Sequence, residues 1–527
     1  MIKLMDSSIR DGGNVNDWKF GKRVIDGIIK NLVESKIDII ELGYLKDVTY
    51  TESKTLYNTV SEAKNNIPTY VGRTEFSLMV QEDKWDWNKL ELCDGVIKHI
   101  RVSFHKTDIR EGLELCKKVI AYGYVCHCNP INIMGYSDSR ILWINIMGYN
   151  DKELLDLIDN INEIRPDYFT IVDTFGSMKL DDLRRIESLL HNNLDLKIKV
   201  SVHLHENLGL AFSLAQEFIS YFENKRDLFV DSSLYGIGRV PGNLCQELVM
   251  GYLNSEKQGD YDIDPVYDAI DDFIISIKEK SPWGYALPYA LSATFNLHRT
   301  YPEYLMKKGK LKTKDIKAIL QSIIPSEKVI YNEKYIEDLY QKYIDADADN
   351  SMSPKELEKI FKGNNVVIIA PGDSISKECA KIEDYIKNNR CITVSVNFDG
   401  NYINPDFYFY TNPKRYSYDS VNIDSEKVIA TSNLLKNSVK ARYIVNYKEI
   451  SKHKGIYNED SVLMLIKLMI GIGIKKIVLA GFDGFSGKIN HFDSSMDNHY
   501  FEKNNNMEVK HILALYSNKV CIEFITR

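Results

Sequence analysis

The stretch "KVSVHLHENLGLAF", residues 199–212, places two histidines, His203 and His205, one residue apart in an apolar run. The residues before them predict a β-strand, and "GLAFSLAQEFISYF" after them has the spacing of an amphipathic helix. Side chains two residues apart in a strand share one face, with Cα atoms about 7 Å apart, so both imidazoles could bind one metal ion. Two hydrogen-bonded histidines would give the same pattern, so other residues must decide.

The same unit of a strand followed by a helix repeats along the first 234 residues. Eight strands that alternate with helices predict a (β/α)8 TIM barrel, and such barrels carry their chemistry at the carboxyl ends of the strands. The predicted strands are residues 2–6, 37–43, 69–73, 99–104, 124–129, 168–174, 199–205 and 228–234. His203 and His205 therefore lie at a predicted strand end.

Polar residues follow most of the other predicted strands as well. They are Arg10, Asp11, Glu41, Arg73, Arg101, Ser103, His105 and Asp173. After the eighth strand, the glycines of "GIGRVPGN" permit a tight loop that would turn Asn243 back over the barrel mouth. One carboxylate, two imidazoles and an amide oxygen suit a divalent metal with positions left open for a substrate. Any one of these charges alone is as well explained by a structural ion pair at the rim, but their convergence favours a metal site.

Three motifs, "DSSIRDGG", "VHLHENLGLA" and "GIGRVPGN", together resemble the signature of the DRE-TIM metallolyases, over residues 1 to about 300. This family includes the 4-hydroxy-2-oxovalerate aldolases, hydroxymethylglutaryl-CoA lyase, and the isopropylmalate and homocitrate synthases. The resemblance implies one bound Mn²⁺ or Mg²⁺. The ligands that it implies are Asp11, His203 and His205, with Asn243 as the fourth.

The chemistry implied by this resemblance is the making or breaking of a C–C bond beside the enolate of a 2-oxo acid such as pyruvate. Such an acid can chelate the metal through its carboxylate and ketone oxygens, and metal and guanidinium then stabilise the enolate. By the same resemblance, Arg10 faces the enolate oxygen and Glu41 orients Arg10. "DGGNVNDWKF" and "SPWGYALPYALSATFNLHRTYPEYL" are most similar to aldolase-type members. A Claisen-type condensing acyltransferase of the isopropylmalate synthase kind and a catalytically inactive barrel scaffold are the alternatives.

Asn14 departs from the pattern of the family. The hydroxy-oxovalerate aldolases have a histidine there as general base, and an amide does not take up a proton at neutral pH. His105 and Tyr285 are the candidates for this role. The other interpretation is a substrate that differs from that of those aldolases.

The loop after the fifth strand contains a tandem repeat. "INIMGYSD" at 131–138 recurs as "INIMGYND" at 144–151. A loop on the catalytic face can form a lid over a substrate, and a neutral insertion is the alternative.

After the barrel domain of residues 1–254, residues 255–362 are predicted to form a helical cap and linker. Part of this linker has the spacing of an EF-hand loop, with Asn350 where glycine is usual. A Ca²⁺ site is one interpretation, and an acidic linker between two helices is the other. The residues at loop positions 1, 3, 5, 7 and 12 are Asp345, Asp347, Asp349, Ser351 and Glu356.

Residues 363–527 alternate again between apolar strands and helical patterns, which predicts a Rossmann-like α/β domain. Its first turn lacks the G-x-G-x-x-G fingerprint, which argues against NAD. The segments "APGDSI", "VNFD" and "AGFDG" are similar to Rossmann-like domains of some sugar transferases and pterin-pyrophosphokinase-like proteins. A bound nucleotide or phosphosugar is one interpretation, and a purely structural domain is the other. The binding residues would be Gly372, Ser374, Asn397 and Asp483.

The composition narrows the class of protein. The chain has 527 residues, too many for one core, and 44% of them are hydrophobic and 27% charged, as in ordinary soluble proteins. No apolar run is long enough to span a membrane, no secretory signal is visible, and the net charge of -7 argues against a nucleic-acid partner. Cys126 and Cys128 share one strand face, which does not suit a disulfide, so we expect reduced thiols and a cytoplasmic location. We also expect a homo-oligomer.

Overall fold

The computed structural model describes residues 1–131, 149–328, 330–345, 353–400, 402–437, 439–454, 456–484, 491–492 and 505–526. Packing divides the chain into two units, one of residues 1–299 with 323–331 and the other of residues 300–322 with 332–527. The helices of the predicted linker, residues 255–362, are therefore shared between the two units. The domain boundaries at 254 and 362 stay predictions. Nearly all of the tandem repeat lies outside the described residues.

The first unit is a closed barrel of eight parallel strands. β1 pairs with both β2 and β8, which closes the sheet, and each other strand pairs with its neighbours along the chain. A ninth, two-residue strand, Leu56–Tyr57, pairs with the end of β2. The predicted TIM barrel is confirmed. The barrel strands are β1 Ile2–Asp6, β2 Ile39–Leu45, β3 Glu75–Gln81, β4 His99–Phe104, β5 Val125–Pro130, β6 Tyr168–Val172, β7 Lys199–His203 and β8 Leu228–Ser232.

Helices surround the barrel because their apolar stripes pack onto the strands. Lys22–Glu34, for example, buries Ile25, Ile28 and Leu32 and exposes Lys30. Each fully buried Leu or Ile side chain contributes about 1.5–3 kcal/mol to the free energy of unfolding. The α-helices of this unit are Ser8–Asp11, Lys22–Glu34, Val60–Ala63, Ile109–Ala121, Asp151–Ile164, Leu180–Asn193, Ala211–Phe222, Gln246–Glu256, Asp264–Ala269, Ile275–Lys280 and Leu287–Thr294, with a π-helix at Ile270–Ile274.

The prediction of the third strand at 69–73 is wrong, because β3 begins at Glu75. Gly72 has a φ of +54° and lies in a turn that ends before the strand. Arg73 consequently lies at the amino end of the barrel, where its Nη1 donates to Asp260 Oδ1 at 2.6 Å and its guanidinium covers the ring of Tyr261. Arg73 is a structural residue at the end opposite the predicted site.

The second unit contains a seven-stranded parallel sheet in the order β13-β12-β11-β10-β9-β14-β15. The order reverses between β9 and β14, as in doubly wound sheets. A short antiparallel ribbon pairs Lys452–His453 with Ile456–Tyr457. The sheet strands are β9 Asn365–Ile369, β10 Cys391–Val396, β11 Phe407–Tyr410, β12 Val428–Thr431, β13 Tyr443–Val445, β14 Lys476–Ala480 and β15 Cys521–Phe524. The α-helices are Thr300–Lys307, Thr313–Gln321, Glu333–Asp345, Ser353–Phe361, Ser374–Lys377, Cys379–Asn388, Pro413–Asp419, Tyr447–Ser451, Ser461–Gly471 and Asn505–Ser517.

Two general features of the sequence have a structural counterpart. All eight cysteines are free thiols, and Cys126 and Cys128 are both buried in β5. Within the ranges that the structure describes, no helix has the length and apolar character needed to cross a membrane.

Candidate metal centre

The turn after β1 brings the first two candidate residues to the barrel mouth. Asp6, the last residue of β1, accepts hydrogen bonds from the Ser8 backbone N–H at 3.0 Å and from Ser8 Oγ at 2.6 Å. These bonds start the short helix Ser8–Asp11, which carries Arg10 and Asp11, both buried. Burial raises the pKa of Asp6 to about 7. The first motif thus folds into one turn whose last two residues form part of the candidate site.

Asp11, His203 and His205 come together at this mouth. One ligand atom from each lies within 4.8 Å of the others, and His203 Nε2 is 3.9 Å from Asp11 Oδ2. Asp11 and His203 are buried and His205 is partly buried. In the part of the chain that the structure describes, these three side chains form the cluster whose ligand atoms lie close enough together to bind one metal ion.

Both imidazoles are oriented by hydrogen bonds at Nδ1. His203 Nδ1 lies 2.8 Å from Asp231 Oδ2, and His205 Nδ1 lies 2.8 Å from the carbonyl oxygen of Asp173. A ring that donates from Nδ1 has its lone pair on Nε2, the atom that then binds a metal. Burial, with the neighbouring His203, lowers the pKa of His205 to about 3, so this ring is neutral.

The predicted fourth ligand, Asn243, is also at the cluster. The loop after β8 pairs Asn243 with His205 through a backbone bridge. Asn243 Nδ2 donates to Asp11 Oδ2 at 2.6 Å, whereas its buried Oδ1 has no hydrogen-bond partner. Gly242, with a φ of +117°, permits the turn, because a Cβ there would lie 2.6 Å from the carbonyl oxygen of Gly236. An unpaired amide oxygen beside a carboxylate is a further donor for a cation.

Arg10 lies between two carboxylates. Its Nε donates to Glu41 Oε2 at 2.5 Å, and its Nη1 donates to Asp11 Oδ1 at 2.7 Å. Its buried Nη2 has no hydrogen-bond partner, and Arg10 lines the same cavity as the metal cluster. Although burial alone would lower the pKa of Arg10, the two carboxylates hold it well above the usual value. The guanidinium is therefore charged, fixed on two sides, and has donor capacity left for a ligand.

Two charged residues complete this arrangement, and their roles were not predicted. Arg101 in β4 donates from Nη1 to Glu41 Oε2 at 3.2 Å and from Nη2 to Asp231 Oδ2 at 2.6 Å. Asp231 in β8 is the residue that contacts His203. A buried charge within an apolar strand, as in "HIRVSF" and "LFVDS", is the signal that would have identified both. The connected residues are, in order, Asp11, Arg10, Glu41, Arg101, Asp231 and His203.

A cavity of about 880 Å³ opens over the cluster. His105 lines it with an exposed side chain, whereas Tyr285 is 63% exposed and does not line it. Asn14 lines it too, and its Nδ2 donates to the Asp11 carbonyl oxygen at 2.8 Å and to Asp11 Oδ1 at 3.1 Å. Asp11 is the one acidic residue among the described lining residues, whereas six are cationic. The cationic residues are Arg10, Lys46, Lys84, Arg101, Lys106 and Arg239.

In the second unit, three of the four predicted ligand-binding residues meet, at the reversal of strand order. Ser374 donates to Asp483 from both its backbone N–H and its Oγ. A Cβ at Gly372 would also contact Asp483. Asn397 instead bonds with Thr411 and Ser461. A nucleotide or phosphosugar ligand here stays a prediction.

The EF-hand-like segment gives no geometry for a calcium site. Asp347, Asp349 and Ser351 lie outside the described residues. Asp345 is the last residue of one helix, and Glu356 lies in the next, Ser353–Phe361. Calcium binding at this segment stays a prediction.

Comparison with known proteins adds to this geometry. The sequence profile of the HMGL-like family matches residues 1–271, just over half of the 527-residue chain. The chain belongs to the HMGL-like family. It is also similar to a 4-hydroxy-2-oxovalerate aldolase from Thermomicrobium roseum, with 23% identity over 317 residues that cover 56% of this chain and 80% of that one.

Solved structures resemble this HMGL-like chain as well. The N-terminal domain of a candidate aldolase from Bacteroides vulgatus is 24% identical, with a TM-score of 0.49, and the match covers 61% of this chain and all of that one. The HMG-CoA lyase from Brucella melitensis is 15% identical, with a TM-score of 0.40, and the match covers 53% of this chain and 98% of that one.

The donors in this HMGL-like barrel fit a divalent metal ion. They comprise a carboxylate, two imidazoles whose Nδ1 atoms are engaged elsewhere so that Nε2 is left for a metal, and an amide oxygen that has no hydrogen-bond partner. Although burial alone would raise the pKa of Asp11, Arg10 and the two histidines hold it well below the usual range, so this carboxylate is ionised. In the connected chain, three carboxylates face two guanidiniums. A cation beside Asp11 would balance the remaining negative charge.

Proposed function

We propose that this chain is a divalent-metal-dependent lyase of the aldolase type, which makes or breaks a C–C bond beside the enolate of a 2-oxo acid such as pyruvate. The observation that carries the proposal is the unpaired Nη2 of Arg10, which lies in the same cavity as Asp11, His203 and His205. Membership of the HMGL-like family and the similarity to an aldolase support it. The ion is Mn²⁺ or Mg²⁺, and Asp11, His203, His205 and Asn243 would hold it.

When bound, the ion would supply Lewis-acid stabilisation to the carboxylate and ketone oxygens of the 2-oxo acid. Arg10 Nη2 would donate to the ketone oxygen, on which negative charge develops as the enolate forms. Glu41 keeps the guanidinium in place through Nε and leaves Nη2 for the substrate. Because these donors are fixed before the reaction, little reorganisation is needed when the charge appears.

Proton transfer is assigned to His105. Asn14 donates both of its side-chain contacts to Asp11, so its role is to hold the carboxylate rather than to move a proton. His105 follows β4, lines the cavity and reaches solvent, whereas Tyr285 does not line the cavity. A base at the rim can exchange its proton with water between turnovers.

The lining charges support an anionic substrate. Apart from Arg10 and Arg101, whose charges buried carboxylates balance, four cationic side chains line the cavity, although the whole chain has a net charge of -7; they are Lys46, Lys84, Lys106 and Arg239. A cavity of one charge sign concentrates small ions of the opposite sign. Carboxylates such as 2-oxo acids are therefore favoured over neutral carbonyl compounds.

The test is a product screen with the metal-loaded protein. One set of reactions contains pyruvate with a series of aldehydes, and the other contains 2-oxo acids with acyl-CoA, each analysed by mass spectrometry. The proposal predicts 4-hydroxy-2-oxo acids in the first set, none with the double variant His203→Ala plus His205→Ala, and strongly reduced turnover with His105→Gln, which retains its metal. Products in the acyl-CoA set alone would instead establish a condensing acyltransferase.

A further inference from the structure

Arg101 is a charged side chain of the barrel interior that has no exposed surface, like its partner Glu41. Besides its contacts with Glu41 and Asp231, its Nη1 lies 3.2 Å from Met5 Sδ. With the Asn129 amide oriented so that Nδ2 donates to Thr170 Oγ1, Asn129 Oδ1 accepts from Arg101 Nε at 3.1 Å and from Nη2 at 3.0 Å. Hydrogen bonds thus hold the guanidinium on every side, although Arg101 is neither a predicted metal ligand nor a predicted base.

The two carboxylates that Arg101 contacts are shared with the candidate site. Glu41 Oε2 accepts from both Arg10 Nε and Arg101 Nη1. Asp231 Oδ2 accepts from Arg101 Nη2 and contacts His203 Nδ1. In each case a single oxygen atom joins Arg101 to a residue of the site, so a shift of Arg101 would move that oxygen and the residue it orients.

We propose that Arg101 is a positioning residue that fixes the metal ligand His203 through Asp231 and the enolate-binding Arg10 through Glu41. The inference rests on the proposed function, because it gives His203 and Arg10 their roles. A planar guanidinium suits this position, since its donors lie at fixed angles and can reach two carboxylates at once. A lysine at 101 would keep the charge but not the fork.

A positioning role and a purely structural role for Arg101 predict different effects of a substitution. Partners that orient a metal-binding histidine affect metal affinity by 10- to 100-fold when changed, whereas a buried ion pair that only supports the fold affects stability. Arg226 provides a matched control, because it is buried at 7% exposure and donates to the backbone carbonyls of Leu194, Asp195 and Ile198. Loss of its guanidinium removes these hydrogen bonds but does not affect the candidate metal centre.

The experiment measures the Mn²⁺ dissociation constant of metal-free full-length protein by electron paramagnetic resonance, together with kcat at saturating Mn²⁺. Arg101→Lys and Asp231→Asn should each weaken Mn²⁺ binding by roughly 10- to 100-fold. Because both changes interrupt one connection, the double variant should bind no more weakly than the weaker single variant, whereas independent structural effects would multiply. Arg101→Lys and Glu41→Gln should both lower kcat with Mn²⁺ saturating, and Arg226→Lys should change neither quantity.

Wild-type Mn²⁺ affinity in Arg101→Lys, or a double variant whose loss is the product of the two single losses, would overturn the inference and leave the proposed function intact. A wild-type protein that binds no Mn²⁺ would overturn the proposed function and the inference together. Circular dichroism identifies variants that do not fold. If Arg101→Lys is one of them, Arg101→Gln takes its place, and unchanged Mn²⁺ affinity and kcat in that variant contradict the inference.

Discussion

Polar side chains meet at the carboxyl ends of both parallel sheets, but they do so in different ways. In the barrel, several buried atoms at this end are left without a hydrogen-bond partner, among them Arg10 Nη2, which lies at the cavity, and Asn243 Oδ1. In the second unit, Ser374 and Asp483 satisfy each other, and Asn397 Oδ1 accepts from the backbone N–H groups of Thr411 and Asn412. Convergence of polar residues therefore does not by itself indicate a ligand site. Hydrogen-bonding capacity left over in a cavity is the stronger indication.

The largest expected effect is loss of the metal from the barrel. In the double variant His203→Ala plus His205→Ala, two of the three clustered ligands are gone, so elemental analysis should find one Mn²⁺ or Mg²⁺ ion per chain in the wild type and none in the variant. Lyase activity should fall to background. His191→Ala, on the outer helix Leu180–Asn193, serves as the control and should retain its metal. Unchanged metal content in the double variant would show that this cluster does not bind the metal, and the barrel would then not differ from the second unit in this respect.

The next effect concerns the unpaired donor of Arg10. Arg10→Lys keeps the positive charge but cannot contact Glu41, Asp11 and a substrate together. We expect kcat to fall by roughly 10²- to 10³-fold, about 2.7–4 kcal/mol, as on removal of one oxyanion donor, with metal content unchanged. Arg184→Lys, at an exposed ion pair with Glu217, is the control. Near-normal turnover of Arg10→Lys would make Arg10 a structural residue.

Glu187 tests whether buried unpaired atoms outside a cavity affect stability rather than ligand binding. Both of its carboxylate oxygens are buried without a hydrogen-bond partner, and burial, with Glu217 nearby, raises its pKa to about 7. The unfolded chain loses this proton at a lower pH, so the free energy of unfolding should fall as the pH rises from about 4.3 to about 7. Glu187→Gln removes that loss and should raise the free energy of unfolding on the order of 2 kcal/mol at pH 8, with little gain at pH 4.

Chemical unfolding at the two pH values measures this difference. Glu163→Gln, an exposed position on the helix Asp151–Ile164, should leave the pH dependence unchanged. Because Glu187 does not line the cavity, lyase activity should also be unaffected. An equal gain at both pH values would show that the carboxyl does not titrate differently in the folded chain.

The smallest expected effect is in the second unit. Ser374→Ala removes one hydrogen bond to Asp483, which is worth about 1 kcal/mol, and should lower the unfolding midpoint of that unit by roughly 2–4 °C without altering lyase activity. Pyrophosphate should not raise the midpoint, because the acceptor and donors are already paired. A midpoint that rises with pyrophosphate in the wild type and not in the variant would identify a ligand site there and end the contrast.

Much of the barrel was predictable because its strands are short apolar runs bounded by turns. β4 and β1 begin and end where the sequence predicts, and the histidine pair lies at the end of β7 as expected. The third strand failed because "TYVGR" contains β-branched and aromatic residues, whereas a turn at Gly72 determines where the chain enters β3. Local propensity does not contain that information.

The ion pair between Arg101 and Asp231 could not be predicted from the sequence, for a different reason. The two residues are 130 positions apart and meet only because the barrel closes. In the second sheet, the edge strands Tyr443–Val445 and Cys521–Phe524 are too short to be identified from the sequence, because three or four residues carry little periodicity. Local patterns gave the candidate ligands, and closure of the barrel gave the residues that orient them.

The exchange of pyruvate C3 protons for deuterium in D₂O, followed by ¹H NMR with Mg²⁺-loaded protein, measures whether this site forms the enolate of a 2-oxo acid. Exchange reports enolate formation without requiring the acceptor substrate to be known. We expect the methyl signal to decay with the wild-type protein, at least 10²-fold more slowly with Arg10→Lys, by analogy with loss of one oxyanion donor, and at the buffer rate with His203→Ala plus His205→Ala. Decay at equal rates in all three proteins, or at the buffer rate in the wild type, would contradict the assignment of this site to a 2-oxo acid enolate.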